Sequence, residues 1–207
     1  MRASLPFRLL TALVLAASLQ ACTRDDIWAS DEAVAQARYV DPGPPSITLF
    51  TSVNTRNQTG AHAGLLINGS ERVLYDPAGS WDVKSAPERH DMRYGMTPGH
   101  LASYVTFQGT APFEVTLQTV YVSRAVADQA IAAAQAHGAA NKAACTIAIA
   151  TVLSDVPGFE GLPQTYFPKA LSRGFAELPG VHTVVRSSMD GPLRSVLPGS
   201  PGASSGM

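Results

Sequence analysis

Hydrophobic and polar residues follow two kinds of pattern along this chain. Short segments that alternate, or that are rich in β-branched and aromatic residues, predict β-strands over residues 46–53, 61–67, 72–76, 113–122 and 181–185. Longer segments of helix-forming residues predict helices over residues 97–107, 123–138, 143–153 and 169–177, and residues 31–39 can form another short helix. This order of elements predicts an α+β fold in which helices pack on an antiparallel sheet.

The N-terminus has the layout of a cleaved secretory signal over residues 1–21. Arg2 and Arg8 precede an apolar run over residues 9–19, and the small residue Ala21 ends the segment. The run is shorter than the about 20 residues that span a bilayer. The alternative is a signal-anchor helix that stays in place.

Two further segments are predicted to lie outside the folded domain. Residues 22–45 are polar and then proline-rich, which predicts a tether. Residues 186–207 are rich in serine, glycine and proline, which predicts a disordered tail. The domain itself is predicted over residues 46–185.

The residues around the predicted cleavage point resemble the lipobox of bacterial lipoproteins. The resemblance is carried by Leu19, Ala21 and Cys22. It implies that Cys22 carries the lipid, becomes the N-terminus of the mature protein and makes the membrane a partner. Thr23 occupies the position where an aspartate often marks inner-membrane retention, so the resemblance implies a periplasm-facing protein, with the outer membrane favoured over the inner membrane.

Charge and motif content narrow the function classes. The net charge is −1 and the basic residues form no cluster, which excludes nucleic acid as an expected partner. No glycine-rich phosphate loop is present, so no cofactor is expected. His90, Asp91 and His100 match no common metal-ligand spacing, so no metal site is expected either. The oligomeric state is not predicted.

Cys145 is the one thiol left if Cys22 carries lipid. A lone exported cysteine is paired between chains, buried and inert, or reactive. Cys145 begins an apolar segment that predicts a helix, so its sulfur lies near the positive end of the helix dipole. Such a position lowers a thiol pKa, and the unpaired backbone N–H at a helix start can face an oxyanion.

His62 and Asp76 complete a candidate catalytic set. Histidine is a base in the working pH range, and a carboxylate on the neighbouring strand can fix its tautomer. A three-residue loop over residues 68–70 pairs His62 with Asp76, whereas a two-residue Asn-Gly turn pairs His62 with Tyr75 and turns Asp76 to the other face. The sequence leaves this register open.

The order of these residues resembles the circularly permuted papain-like hydrolases, the NlpC-type group that includes lecithin:retinol acyltransferase. Members carry a histidine in a His-x-Gly strand, then a polar residue on the next strand, then a cysteine at a helix start. His62 with Gly64, Asp76 and Cys145 match these three elements, and the resemblance covers about residues 47–185. It implies a permuted papain-like fold, with Cys145 as nucleophile, His62 as base and then acid, and Asp76 as orienter.

Each residue also has a structural explanation. Cys145 can be a small core residue, His62 a hairpin-edge histidine and Asp76 a turn former before Pro77. Two main hypotheses follow, besides a dimer that is disulfide-linked through Cys145. The first is an envelope cysteine hydrolase or acyltransferase that acts on amide or ester bonds, with a cell-wall peptide or a lipid-linked acyl group as substrate. The second is a catalytically inactive lipoprotein that binds an envelope partner or a cell-wall fragment.

Overall fold

The structure is a computed structural model, and it describes residues 28–187. Within these residues the chain forms one antiparallel sheet of seven strands and five helices, so the predicted α+β class is confirmed. The predicted signal peptide, Cys22 and residues 188–207 of the predicted tail lie outside the described residues. No helix between residues 28 and 187 is both long enough and apolar enough to cross a bilayer.

The elements follow the predicted order. They are α1 (Asp31–Ala37), β1 (Ser46–Asn54), β2 (Gly60–Asn68), β3 (Arg72–Tyr75), β4 (Glu88–Arg89), β5 (Met92–Arg93), α2 (Pro98–Gln108), β6 (Phe113–Tyr121), α3 (Arg124–His137), α4 (Cys145–Ser154), α5 (Pro168–Ala176) and β7 (His182–Ser187). The strand order across the sheet is β4-β5-β3-β2-β1-β6-β7. The long central strands β1, β2 and β6 therefore form the middle of the sheet.

Both faces of the sheet are covered. Alternate residues of the central strands, such as Leu49 and Leu65, pack beneath α3, α4 and α5. The intervening residues, such as Phe50 and Leu66, pack against α2 and its flanking loops. Helix α4 contacts β2 and the helices on either side of it, which explains why its sequence is apolar on all sides.

The capping residues that the sequence indicates at the helix ends match the structure. The Ser123 hydroxyl accepts a hydrogen bond from the Val126 N–H at the start of α3, and Gly138 ends that helix with a positive φ of 73°. Thr97 caps α2 in the same way, by accepting from the His100 N–H. The start of α4 differs, because its cap residue Ala144 makes no side-chain hydrogen bond.

Three predicted boundaries differ from the structure. Residues 80–96, where the sequence predicts no helix or strand, contain the short β4–β5 hairpin. The described part of the predicted tether packs on the domain, where the Asp41 carboxylate contacts the buried Arg72 at 2.5 Å. Strand β7 extends to Ser187, two residues beyond the predicted domain limit, because it pairs with β6 along that length.

Candidate active site

His62 and Asp76 are in direct contact. The Nε2 atom of His62 lies 2.7 Å from Oδ1 of Asp76, and the Asp76 side chain is 3% exposed. His62 lies near the start of β2, and Asp76 directly follows β3. Because Nε2 is held by the carboxylate, Nδ1 is the ring nitrogen left to serve another group.

The strand register explains this contact, and it is neither of the two registers considered from the sequence. Leu65 pairs with Tyr75 and Asn68 with Arg72, so residues 69–71 form the loop. Continuing this register places Asp76 beside Gly64 rather than opposite His62. Residues two apart share a face of a strand, so the Asp76 carboxylate reaches the imidazole diagonally across a glycine.

Cys145 is the first residue of α4, and its sulfur interacts with three groups. The His62 ring, the Ala63 backbone N–H and the Thr146 hydroxyl all interact with it, the last at 3.7 Å. Strand β3 ends its pairing with β2 at Leu65, so the β2 backbone at Ala63 is free of that neighbour and can contact the sulfur. The sequence-predicted trio is therefore brought together from β2, the end of β3 and the start of α4.

The electrostatics favour a charged thiol–imidazole pair. Burial raises the pKa of Cys145, but the hydrogen bond and charge of His62 outweigh it and hold the pKa below its ordinary value of 9.0. Burial lowers the pKa of His62, while hydrogen bonds and charges from Asp76 and Cys145 raise it to about 10. Both shifts stabilise the thiolate and the imidazolium together.

The helix start adds a second source of stabilisation. The first N–H groups of an α-helix have no carbonyl partner within the helix, and no side chain at Ala144 satisfies them. Ala143, one residue earlier, has a positive φ of 63°, which costs an alanine about 1 kcal/mol. The strained backbone at Ala143 and the lack of a side-chain cap at Ala144 leave the first N–H groups of α4, beside Cys145, available to an anionic group.

Tyr104 is a member of this site that the sequence reasoning missed. Its hydroxyl donates to Oδ1 of Asp76 at 2.7 Å, the same oxygen that contacts His62, and its side chain is fully buried. Burial, followed by the Asp76 charge, raises the pKa of Tyr104, so the hydroxyl keeps its proton and remains a donor. Tyr104 shares the buried face of α2 with Leu101 and Val105, and that helical spacing was the available signal.

Asp91 accepts hydrogen bonds from the backbone on both sides of the site. Its Oδ2 accepts hydrogen bonds from the N–H of Ala78 at 2.9 Å and of Ala140 at 2.8 Å. Its carbonyl accepts from the Asp76 N–H at 2.8 Å. Ala78 follows Asp76, and Ala140 lies in the loop that leads to Cys145, so one buried carboxylate connects the two segments.

A surface cavity of about 310 Å³ opens beside His62. Its volume is at the lower end of the range for small-molecule sites. The residues around it come from β1, β2, the loop after β3, α2 and β6: Ser52, Ala61, His62, Ala78, Gly79, Ser80, Phe107, Gln108 and Phe113. Cys145 is not among them, so the cavity lies on the imidazole side of the thiol–imidazole pair.

Three other histidines have structural partners. His90 stacks on Trp28 at a centroid distance of 5.2 Å. His100 contacts the Gly95 carbonyl at 2.6 Å and the Ser85 hydroxyl at 2.8 Å. His137 contacts the Tyr75 hydroxyl at 2.9 Å. Between residues 28 and 187, no three His, Cys, Asp or Glu side chains are grouped so that they could hold a metal ion.

Comparisons with models of protein families, with curated proteins and with solved structures found no match to this chain. The site is therefore defined by its own geometry. It is a thiol–imidazole–carboxylate set on an antiparallel α+β domain, with a helix N-terminus at the thiol and a cavity at the imidazole.

Proposed function

We propose that this protein is a thiol hydrolase or acyltransferase of the circularly permuted papain-like type, with Cys145 as nucleophile. The observation that carries the proposal is the continuous set from Asp76 through His62 to Cys145, in which the thiol pKa is lowered and the imidazole pKa is raised. A cysteine and a histidine that served only to pack the core would not need to form a charged pair at a helix N-terminus.

The chemistry follows from these positions. The Cys145 thiolate attacks the carbonyl carbon of an ester or amide, and a C–S bond forms as the carbonyl oxygen becomes an oxyanion. The backbone N–H of Cys145 is placed to donate to that oxyanion. The His62 imidazolium then gives its proton to the departing oxygen or nitrogen, whose bond to the carbonyl carbon breaks and leaves a thioester.

The second half of the reaction reverses the proton transfer. Water or an acceptor alcohol gives a proton to neutral His62 and attacks the thioester carbonyl, which releases the acyl product and restores the Cys145 thiolate. Asp76 holds the ring so that Nδ1 faces the sulfur through both steps. The Tyr104 hydroxyl holds Asp76 in turn.

Acylation of Cys145 by an activated ester tests the proposal. We expect a p-nitrophenyl ester to give a burst of p-nitrophenol and an acyl group on the Cys145 peptide by mass spectrometry. Cys145→Ala abolishes the burst, and His62→Gln slows it by about 100-fold or more, the usual contribution of a general acid–base group. A correctly folded wild-type protein that leaves Cys145 unacylated would overturn the proposal.

A second candidate is a catalytically inactive envelope lipoprotein that binds a partner or a cell-wall fragment. One observation favours it, because Cys145 is only 7% exposed and does not line the cavity beside its histidine. If this candidate is correct, Cys145→Ala leaves partner binding intact, and even the wild-type protein gives no burst of p-nitrophenol. The same burial opposes the disulfide-linked dimer, since a thiol that is 7% exposed cannot reach a second chain without local opening.

The lipoprotein and envelope part of the proposal rests on the sequence of residues 1–22. We propose that the protein is anchored through Cys22 and faces the periplasm, with the outer membrane favoured. Mass spectrometry of the N-terminal peptide from the membrane fraction tests this. A lipid adduct on Cys22 is expected, and Cys22→Ser removes it; retention of residues 1–21 on the mature chain would contradict the cleaved, lipidated form.

A further inference from the structure

The residues that line the cavity beside His62 indicate which chemical groups of a substrate it can accept. Apart from His62, its walls contain no ionisable side chain. Two phenylalanines supply apolar surface, while Ser52, Ser80 and Gln108 supply hydroxyl and amide groups. A charged group placed here would lose hydration, and the one wall residue that carries charge, His62, is already paired with Asp76, so little ion pairing would compensate.

The position of the cavity assigns it to one part of the substrate. In a thiol–imidazole reaction the acyl carbon bonds to the sulfur, and the leaving atom must lie next to the imidazole that protonates it. The cavity contacts His62 and not Cys145, so it lies where the leaving group departs and where an acceptor alcohol enters.

On one side of the cavity, charged side chains begin beyond Gly79 and Ser80. A second depression of about 430 Å³ shares these two residues. There the charges are largely paired with one another, since the Arg93 guanidinium contacts Asp82 at 3.0 Å and Glu88 at 2.7 Å. On this side of the cavity, Gly79 and Ser80 therefore separate His62 from the charged groups of the second depression.

We propose that this cavity is the leaving-group and acceptor subsite of the proposed enzyme, and that it selects an uncharged, partly apolar alcohol. This inference rests on the proposed function. It disfavours substrates whose leaving group has a carboxylate or an ammonium group close to the scissile bond. It therefore disfavours cleavage of a peptide bond that directly precedes an acidic residue with a free side-chain carboxylate.

A matched series of acetate esters tests the selection. The acyl group is kept constant, and the alcohols are benzyl alcohol, 4-carboxybenzyl alcohol and 4-(aminomethyl)benzyl alcohol. Because the acyl-enzyme is the same, differences in kcat/KM report the leaving-group subsite. We expect the neutral ester to be favoured by about tenfold or more over both charged esters, which corresponds to about 1.4 kcal/mol. Equal kcat/KM values across the series would overturn the proposal.

Two variants locate the selection in the cavity. Phe107 is 45% exposed, so Phe107→Ala removes apolar wall without opening the core, and it should reduce the preference for the benzyl ester. Phe167→Ala is the matched control, because Phe167 is 73% exposed and lies outside the cavity wall. Ser80→Lys introduces a cation at an exposed wall position and should raise kcat/KM for the 4-carboxybenzyl ester relative to the neutral one.

A binding measurement separates this inference from the proposed function. In the Cys145→Ala protein, benzyl alcohol should shift the backbone NMR signals of Gly79 and Ser80 at lower concentration than benzoate or benzylamine. If no ester acylates Cys145 in the wild type but benzyl alcohol still binds selectively, the catalytic proposal fails and the uncharged subsite stands. If esters acylate Cys145 but the three ligands bind alike, the subsite assignment fails and catalysis stands.

Discussion

The hydroxyl of Tyr104 occupies the space that a side chain at position 64 would fill. A Cβ atom built on Gly64 collides with that hydroxyl, and it lies 3.2 Å from Cζ of Tyr104 and 3.3 Å from Oδ1 of Asp76. Tyr104 is fully buried and packs edge-on against Phe50 and Trp81, so it cannot simply move away. The glycine two residues after His62 is therefore required by the hydrogen bond from Tyr104 to Asp76.

Gly64→Ala should destabilise the fold and disturb the site together. We expect the free energy of unfolding to fall by about 1–3 kcal/mol, as for other overpacked core positions. Chemical denaturation measures this change. Gly161→Ala is the control, because a Cβ at Gly161 meets nothing within 4 Å, and it should leave the unfolding free energy almost unchanged.

The double variant Gly64→Ala, Tyr104→Phe tests the cause. In the double variant the hydroxyl is absent, and the new methyl group contacts the edge of the ring at position 104, at about 3.2 Å, which small shifts can relieve. The two substitutions should therefore be less destabilising together than the sum of their separate effects, by about 0.5–3 kcal/mol. Strict additivity would show that the Tyr104 hydroxyl does not determine the need for glycine.

Tyr104→Phe should lower catalysis through Asp76 rather than through substrate binding. The variant keeps the ring contacts but removes the donor to Oδ1, so Asp76 and with it His62 are held less firmly. We expect kcat on the activated ester to fall on the order of tenfold with little change in KM. Tyr94→Phe is the matched control, since it too removes the hydroxyl of a buried tyrosine, in this case one that accepts a hydrogen bond from Gln135 at 3.3 Å. An equal loss of kcat in both variants would indicate a general effect on stability.

Local patterns in the sequence predicted the elements well, because their signals lie within a few residues. Ser123 and Gly138 mark the two ends of α3 through hydrogen bonds and a backbone conformation that those residue types favour. The contact between His62 and Asp76 was a hypothesis that depended on register. Loop conformation sets that register, and the Asn-Gly rule did not predict the loop over residues 69–71.

The parts of the site that the sequence did not predict are long-range contacts. Tyr104 reads as an ordinary core aromatic of α2, and only packing of that helix on the sheet brings its hydroxyl to Asp76. Asp91 was considered only as a metal ligand, yet its carboxylate holds the Ala78 and Ala140 backbones. Helical periodicity indicates that Tyr104 is buried, but no periodicity encodes which group a buried polar atom contacts when the partner lies on another segment of the chain.

Alkylation of Cys145 should report a thiolate that forms below the ordinary thiol pKa. His62 lowers the pKa of Cys145 below 9.0, so the rate with iodoacetamide should rise with pH and level off below that value. Peptide mapping by mass spectrometry assigns the label to Cys145 rather than Cys22. His62→Gln should move the inflection to higher pH, because burial then raises the thiol pKa without an opposing imidazolium. A wild-type protein that resists labelling across pH 5–8 would support a buried, inert cysteine.

The pH range of catalysis should have its upper limit at His62. The imidazole must be protonated to give its proton to the leaving group, and its pKa is raised to about 10. The ion pair therefore exists above the pKa of Cys145 and is lost as pH rises through the pKa of His62.

We expect NMR titration of the His62 ring to show the protonated form well above pH 6.5. Asp76→Asn should lower the His62 pKa, since the amide keeps the hydrogen-bonding shape but removes the charge. Cys145→Ala should lower it as well, because the thiolate charge is then absent. A His62 ring that titrates near pH 6.5 in the wild type would show that no charged pair forms with Cys145.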